Sequence, residues 1–228
     1  MNASVFNRKK STESGFTLVE IAIVLVIIGL LLGGILKGQE MITQAKIKNV
    51  INDFNGVTVA VTSYQDRYRF LPGDDKGAAA RWTVQAPASG DGDGVIAGKY
   101  NATTAAAAPA TTEESNLFWQ HLRIAGFVPG VTTAGSGTQP LNAAGGMIGV
   151  QNAVATGVGL GFTGLTICSS NLPDKVAIAI DTQMDDSNSQ TGQVRAQLQG
   201  IANPDLGATT ASKYEETGVN QYLVCKAF

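Results

Sequence analysis

Residues 16–36 read FTLVEIAIVLVIIGLLLGGIL, an apolar run of 21 residues broken by one charge, Glu20. As an α-helix such a run is about 30 Å long, close to the thickness of a bilayer's hydrocarbon core. Lys37 closes it on the far side. Arg8, Lys9 and Lys10 stand before it, with Glu13 the only acid in that stretch. A basic head followed by an apolar run is a membrane-targeting pattern. A secretory signal peptide places small residues after its apolar core. Here the small residue, Gly15, comes before the run, so a cut at that point leaves the apolar segment on the mature chain.

Beyond Lys37 the periodicity changes. Ile47, Val50, Ile51, Phe54, Val57, Val61 and Tyr64 recur at spacings of three and four, with Lys46, Lys48, Asn52, Asp53 and Asn55 between them. That is one apolar stripe on a helix. No proline lies between Phe16 and Leu71, so a single long helix is allowed. Its first half is greasy all round, and its striped second half is expected to pack on a globular head. The stretch Phe70-Leu71-Pro72-Gly73-Asp74-Asp75 ends it, because proline disfavours α conformation in its predecessor and glycine supplies turns.

The remaining segments are shorter. Residues 76–112 and the glycine-, alanine- and threonine-rich 130–164 read as loops or weakly specified strands. Residues 113–125 read as a short helix capped by Ser115 or Thr112, with Leu117, Phe118, His121, Leu122 and Ala125 on its apolar side. Strands are expected at 165–168, 176–180 (VAIAI), 194–198 and 222–225, with Asp185-Asp186-Ser187-Asn188-Ser189 as a hairpin loop.

Chemistry-bearing motifs are sparse. The net charge of −2 gives no basic field for nucleic acid. His121 is the sole histidine, too little for a metal site or a nucleophilic relay, and it is expected to pack near Trp119. No GxSxG, HExxH, Walker or dinucleotide fingerprint occurs, so an enzyme is not expected. Asp91-Gly92-Asp93-Gly94 begins like a calcium loop, but Val95 fills the next ligand position. Glu113 or Glu114 folding back is one way to complete a calcium site; a glycine-rich turn with solvated acids is the simpler reading, and no cofactor is expected. Cys168 and Cys225 are the two cysteines; they would be free thiols in a cytosolic chain, but the targeting segment points to an oxidising compartment, so a disulfide between them is expected.

Gly15-Phe16-Thr17-Leu18-Val19-Glu20, followed by sixteen residues without a charge, resembles the class III signal of type IV pilins and pseudopilins. Glycine precedes the cut, phenylalanine follows it, and glutamate is the fifth mature residue. The resemblance implies cleavage between Gly15 and Phe16 by an inner-membrane prepilin peptidase, and N-methylation at Phe16. It implies assembly of subunits helix against helix, with Glu20 pairing to the N-terminal amine of a neighbouring copy. Gly29, Gly33 and Gly34 are candidates for close packing or for local unwinding during assembly.

The fold expected on this basis is α+β: a pilin-like lollipop whose long N-terminal helix packs on a small antiparallel β-sheet head. Its parts are a leader (1–15), an assembly helix (16–36), an amphipathic continuation (37–71) and a head (72–228). The expected function is a structural subunit of a type IV pilus serving adhesion, motility or DNA uptake. The alternative is a pseudopilin of a type II secretion system. The implied partners are further copies of itself, other pilins, the peptidase and an inner-membrane assembly platform. The implied location is the bacterial inner membrane, then an extracellular pilus or a periplasmic pseudopilus.

Overall fold

The computed structural model describes residues 15, 17–102, 113–133, 137–153, 159–207 and 211–228. The chain divides into two compact units, Met1–Ile42 and Thr43–Phe228. Helix α1, Leu18–Tyr68, begins in the first and ends in the second. It covers 51 residues without a break, as the absence of proline allows.

In the first unit, Leu18 to Leu36 carry their apolar side chains outward; even the least exposed large one, Ile28, is 46% exposed. This is the one helix among the described residues long and apolar enough to cross a membrane.

In the second unit, α1 buries Ile47, Val50, Phe54, Val57, Val61 and Tyr64, the stripe set by spacings of three and four. Arg69 takes a left-handed conformation (φ 63°) just past the helix, and Pro72 follows. Three short helices come after: α2 (Ala78–Arg81), α3 (Glu114–Ile124) and α4 (Asp174–Met184). The strands are β1 (Ile148–Ala153), β2 (Gly164–Pro173), β3 (Val194–Leu198) and β4 (Gln221–Ala227). They form one antiparallel sheet in the order β1-β2-β4-β3.

Alternation along the strands sends side chains to two faces. Val150, Ile167, Val194, Tyr222 and Val224 join the main core with the α1 stripe, Phe118 and Trp119 of α3, and Val176 and Ile180 of α4. Cys168, Leu223 and Cys225 point the other way, into a smaller cluster with Tyr100, Leu160, Phe162 and Leu206. Cys168 stands opposite Cys225 in the β2–β4 register, and a disulfide joins them. Closing a loop of 57 residues contributes about 4 kcal/mol in the chain-entropy account.

Three local expectations are corrected. Residues 176–180 are helical, inside α4: Val176, Ala177 and Ile180 face the core at helical spacing, and Asp174 anchors the first turn by accepting from the Thr217 and Gly218 amides at 2.8 and 2.6 Å. The Asp185–Ser189 loop therefore joins a helix to a strand and is not a hairpin. Helix α3 has Glu113 at its N-cap, with no side-chain cap bond; Ser115 lies within the helix, and Thr112 is outside the described residues.

Candidate functional site

Two places carry groups that could act. The first is the start of α1. Gly15 is exposed, with nothing within 4 Å of where a side chain would stand, so backbone here can be approached closely. Phe16 lies outside the described residues. Thr17 is the N-cap of α1: its carbonyl accepts from the Ile21 amide at 3.3 Å. Glu20 sits three residues on, in the first turn. Its Oε2 accepts from the Thr17 amide and from the Thr17 hydroxyl, both at 2.8 Å, while the Glu20 amide donates to the Thr17 hydroxyl oxygen at 3.3 Å. This reciprocal arrangement is a capping box, and the carboxylate also suits the positive end of the helix dipole. Gly29, Gly33 and Gly34 likewise have nothing within 4 Å of an added Cβ among the described residues.

The second place is the loop after α2. Asp74, Asp91, Asp93 and Glu114 each bring a carboxylate oxygen within 4.8 Å of the others. Asp74 is the residue that sequence reasoning missed, since it had served only as part of the helix stop. It is buried, and it accepts from three successive amides: Gly92 at 2.6 Å and Asp93 at 3.0 Å on Oδ1, and Gly94 at 2.8 Å on Oδ2. Gly92 and Gly94 supply the positive φ (80° and 87°) that turns the loop around it. Glu114 does fold back to the loop, accepting from the Asp91 amide at 3.1 Å and the Ala97 amide at 2.9 Å.

Burial pushes the Glu114 carboxyl up to about 6, and the negative charges of Asp74 and Asp91 add to the effect against the two amides. Burial raises Asp74 as well, against its amide donors. An all-oxygen donor set of this kind suits a hard cation such as calcium. The five amides already bound to Asp74 and Glu114 equally make the two carboxylates pegs that fold the loop.

His121 is fully buried, and it stacks on Tyr64 (ring centroids 6.3 Å apart) and lies 6.1 Å from Trp82. Its Nδ1 accepts from the Gly73 amide at 3.0 Å, which leaves Nε2–H to donate to the Ala88 carbonyl at 2.9 Å. Burial holds its pKa down to about 4, so the ring is neutral near pH 7 and ties two loops together. Beneath it, Asp75 accepts from the Tyr64 hydroxyl at 2.7 Å and pairs with Arg81. Burial alone would raise Asp75, but the bonds from Arg81, Tyr64 and the Gly77 amide hold it below the usual carboxylate range.

A further acidic group, Asp181, Asp185 and Asp186, pins the α4–β3 loop. Asp181 accepts from the Tyr214 hydroxyl at 2.8 Å, and Asp185 from the Val194 amide at 2.7 Å.

Among protein families, residues 10–36 match the prokaryotic N-terminal methylation motif, the class III signal peptide of type IV pilins and pseudopilins. The curated proteins contain no match to this chain.

Proposed function

We propose that this chain, which carries the class III signal of type IV pilins and pseudopilins, is a filament subunit made as a prepilin. The single observation that carries the reading is the match over residues 10–36, where signal and apolar run coincide. Prepilin peptidase removes the leader, residues 1–15, and the new N-terminus at Phe16 is methylated. Residues 16–36 hold the subunit in the inner membrane and then join other copies in the fibre. Residues 37–71 continue that helix into the head, residues 72–228.

A carboxylate at membrane depth is costly, so Glu20 is a functional residue by default. Its partner in the fibre is the Phe16 amine of a neighbouring copy, which sets axial register. The outward apolar surface of Leu18–Leu36 supports this, since among the described residues it has no partner within its own unit.

The filament is a type IV pilus serving adhesion, motility or DNA uptake. The Cys168–Cys225 bond, which encloses much of the C-terminal part, supports a pilin over a major pseudopilin. One observation favours the second reading, a pseudopilin of type II secretion: the four carboxylates around Asp74, because some pseudopilins bind calcium in the head. Calcium titration of the chain, followed by its thermal transition, separates a cation site from a pegged loop.

Mass spectrometry of the mature N-terminus tests the processing: a chain beginning at methylated Phe16 is expected, and one beginning at Met1 refutes it. Electron microscopy of cells with and without the gene tests the pilus, through loss of surface filaments in the deletion.

A further inference from the structure

We propose that Thr17 is the positioning residue for Glu20, and that its hydroxyl presets the carboxylate for assembly. The Thr17 amide and hydroxyl both donate to Oε2 of Glu20, and neither bond engages Oε1. One oxygen is thus held by the subunit itself, and the other has no donor among the described residues. Hydrogen bonds to an ionised carboxylate are the stronger kind, and in a low-dielectric medium an unmet one is the more costly.

The subunit therefore carries Glu20 through the bilayer already hydrogen-bonded, before any neighbour arrives. The two bonds also fix the side chain in one rotamer, so an incoming cation meets an oxygen whose direction is set. The Thr17–Glu20 pairing stands on the geometry alone, while its role in assembly rests on the filament reading above.

Processing leaves the device intact. Cleavage between Gly15 and Phe16 converts the nitrogen of Phe16 to an amine, but the amide of Thr17 remains a peptide N–H. The new amine then lies one residue from the cap in sequence.

Two readouts test the idea. In the full-length chain in lipid bicelles, hydrogen exchange at the Thr17 amide should be slow, and about fivefold faster in Glu20→Ala, the change that one lost cap brings. Exchange indifferent to Glu20→Ala overturns the pairing. In cells, filament yield is compared for Thr17→Ser, Thr17→Val and Glu20→Ala, with N-terminal mass confirming that each is processed. Thr17→Ser should assemble as the native chain does. Thr17→Val, which keeps the shape and loses the hydroxyl, should lose most filaments, with no further loss when combined with Glu20→Ala. Native yield from Thr17→Val beside a defective Glu20→Ala overturns the positioning role, as does failure of Thr17→Ser. Native yield from Glu20→Ala overturns the filament role of Glu20 instead, and the exchange experiment alone then decides the pairing.

Discussion

Helix α1 contains two lengths of polypeptide with the same backbone and opposite surfaces. From Leu18 to Leu36 nearly every side chain is apolar and outward; from Ile47 to Tyr64 only one stripe is apolar, and that stripe is buried. The second length obtains its stability from the core it covers. The first covers no core among the described residues of its own unit, and its apolar side chains stand exposed there. Substitutions therefore separate the two: those in the stripe act on the stability of the second unit, and those in the first length leave it unchanged.

The largest effect is expected at the disulfide. Replacing Cys168 and Cys225 by alanine together should cost the second unit about 4 kcal/mol. Urea unfolding followed by tryptophan fluorescence, which reports Trp82 and Trp119, should show an earlier transition, while the helical signal of the first length persists. An unchanged midpoint would remove the covalent bond from the account of the head.

Next comes a matched pair within α1. Ile47→Ala should destabilise the head by about 3 kcal/mol, since Ile47 is 2% exposed. Ile27→Ala, at a position 50% exposed, should leave the same transition within about 0.5 kcal/mol of native. Equal effects of the two would break the comparison.

The third effect depends on pH and belongs to the head alone. His121 has a pKa of about 4 against 6.5 unfolded, so the unfolded chain binds more protons between those values, and stability falls as pH drops from 6.5 towards 4. Glu114, at about 6 against 4.5, has the opposite sign: the folded chain binds more protons, and stability rises as pH drops from 6 to 4.5. In Glu114→Gln the opposing contribution disappears, so the acid-side fall in the urea midpoint should become steeper. A shallower slope would assign the wrong group to the loop.

The smallest effect lies in the first length. Gly33→Ala meets nothing within 4 Å, so it should stabilise the helix of the isolated subunit by up to about 1 kcal/mol, visible as slower amide exchange. Reduced filament yield from a subunit made more helical would give the glycine a role in assembly.

What the sequence revealed follows the same division. Helix α1 was legible because its cause is local: a periodic stripe, an apolar run and no proline before Pro72. Strand β1 was not, because Ile148-Gly149-Val150-Gln151-Asn152-Ala153 holds few strand formers, and its place is set by pairing with β2. Gly149 is there because the Tyr100 carbonyl comes within 2.0 Å of where its Cβ would stand, a contact between residues 49 apart in sequence. Helix α4 hid behind VAIAI, a short run that periodicity alone does not assign; packing on the sheet made it helical. At the acidic loop, DGDG and Glu114 were legible as turn and returning acid. Asp74 escaped notice because it binds the loop by side chain to backbone, a pairing that leaves no pattern in spacing. Thr17 and Glu20 stood at capping-box spacing in plain view, but the membrane setting of Glu20 drew attention to distant partners rather than to the residue three positions away.

The sheet order β1-β2-β4-β3 bears on when the second unit can close as the chain is made. Strand β4 is the last of the four in sequence, yet it lies between β2 and β3. Until Gln221–Ala227 emerges, β3 has no strand to pair with, β2 has one edge bare, and Cys168 waits for Cys225. The sheet therefore cannot close until the last strand in sequence is present, and the second unit stays open along β2 and β3 until then.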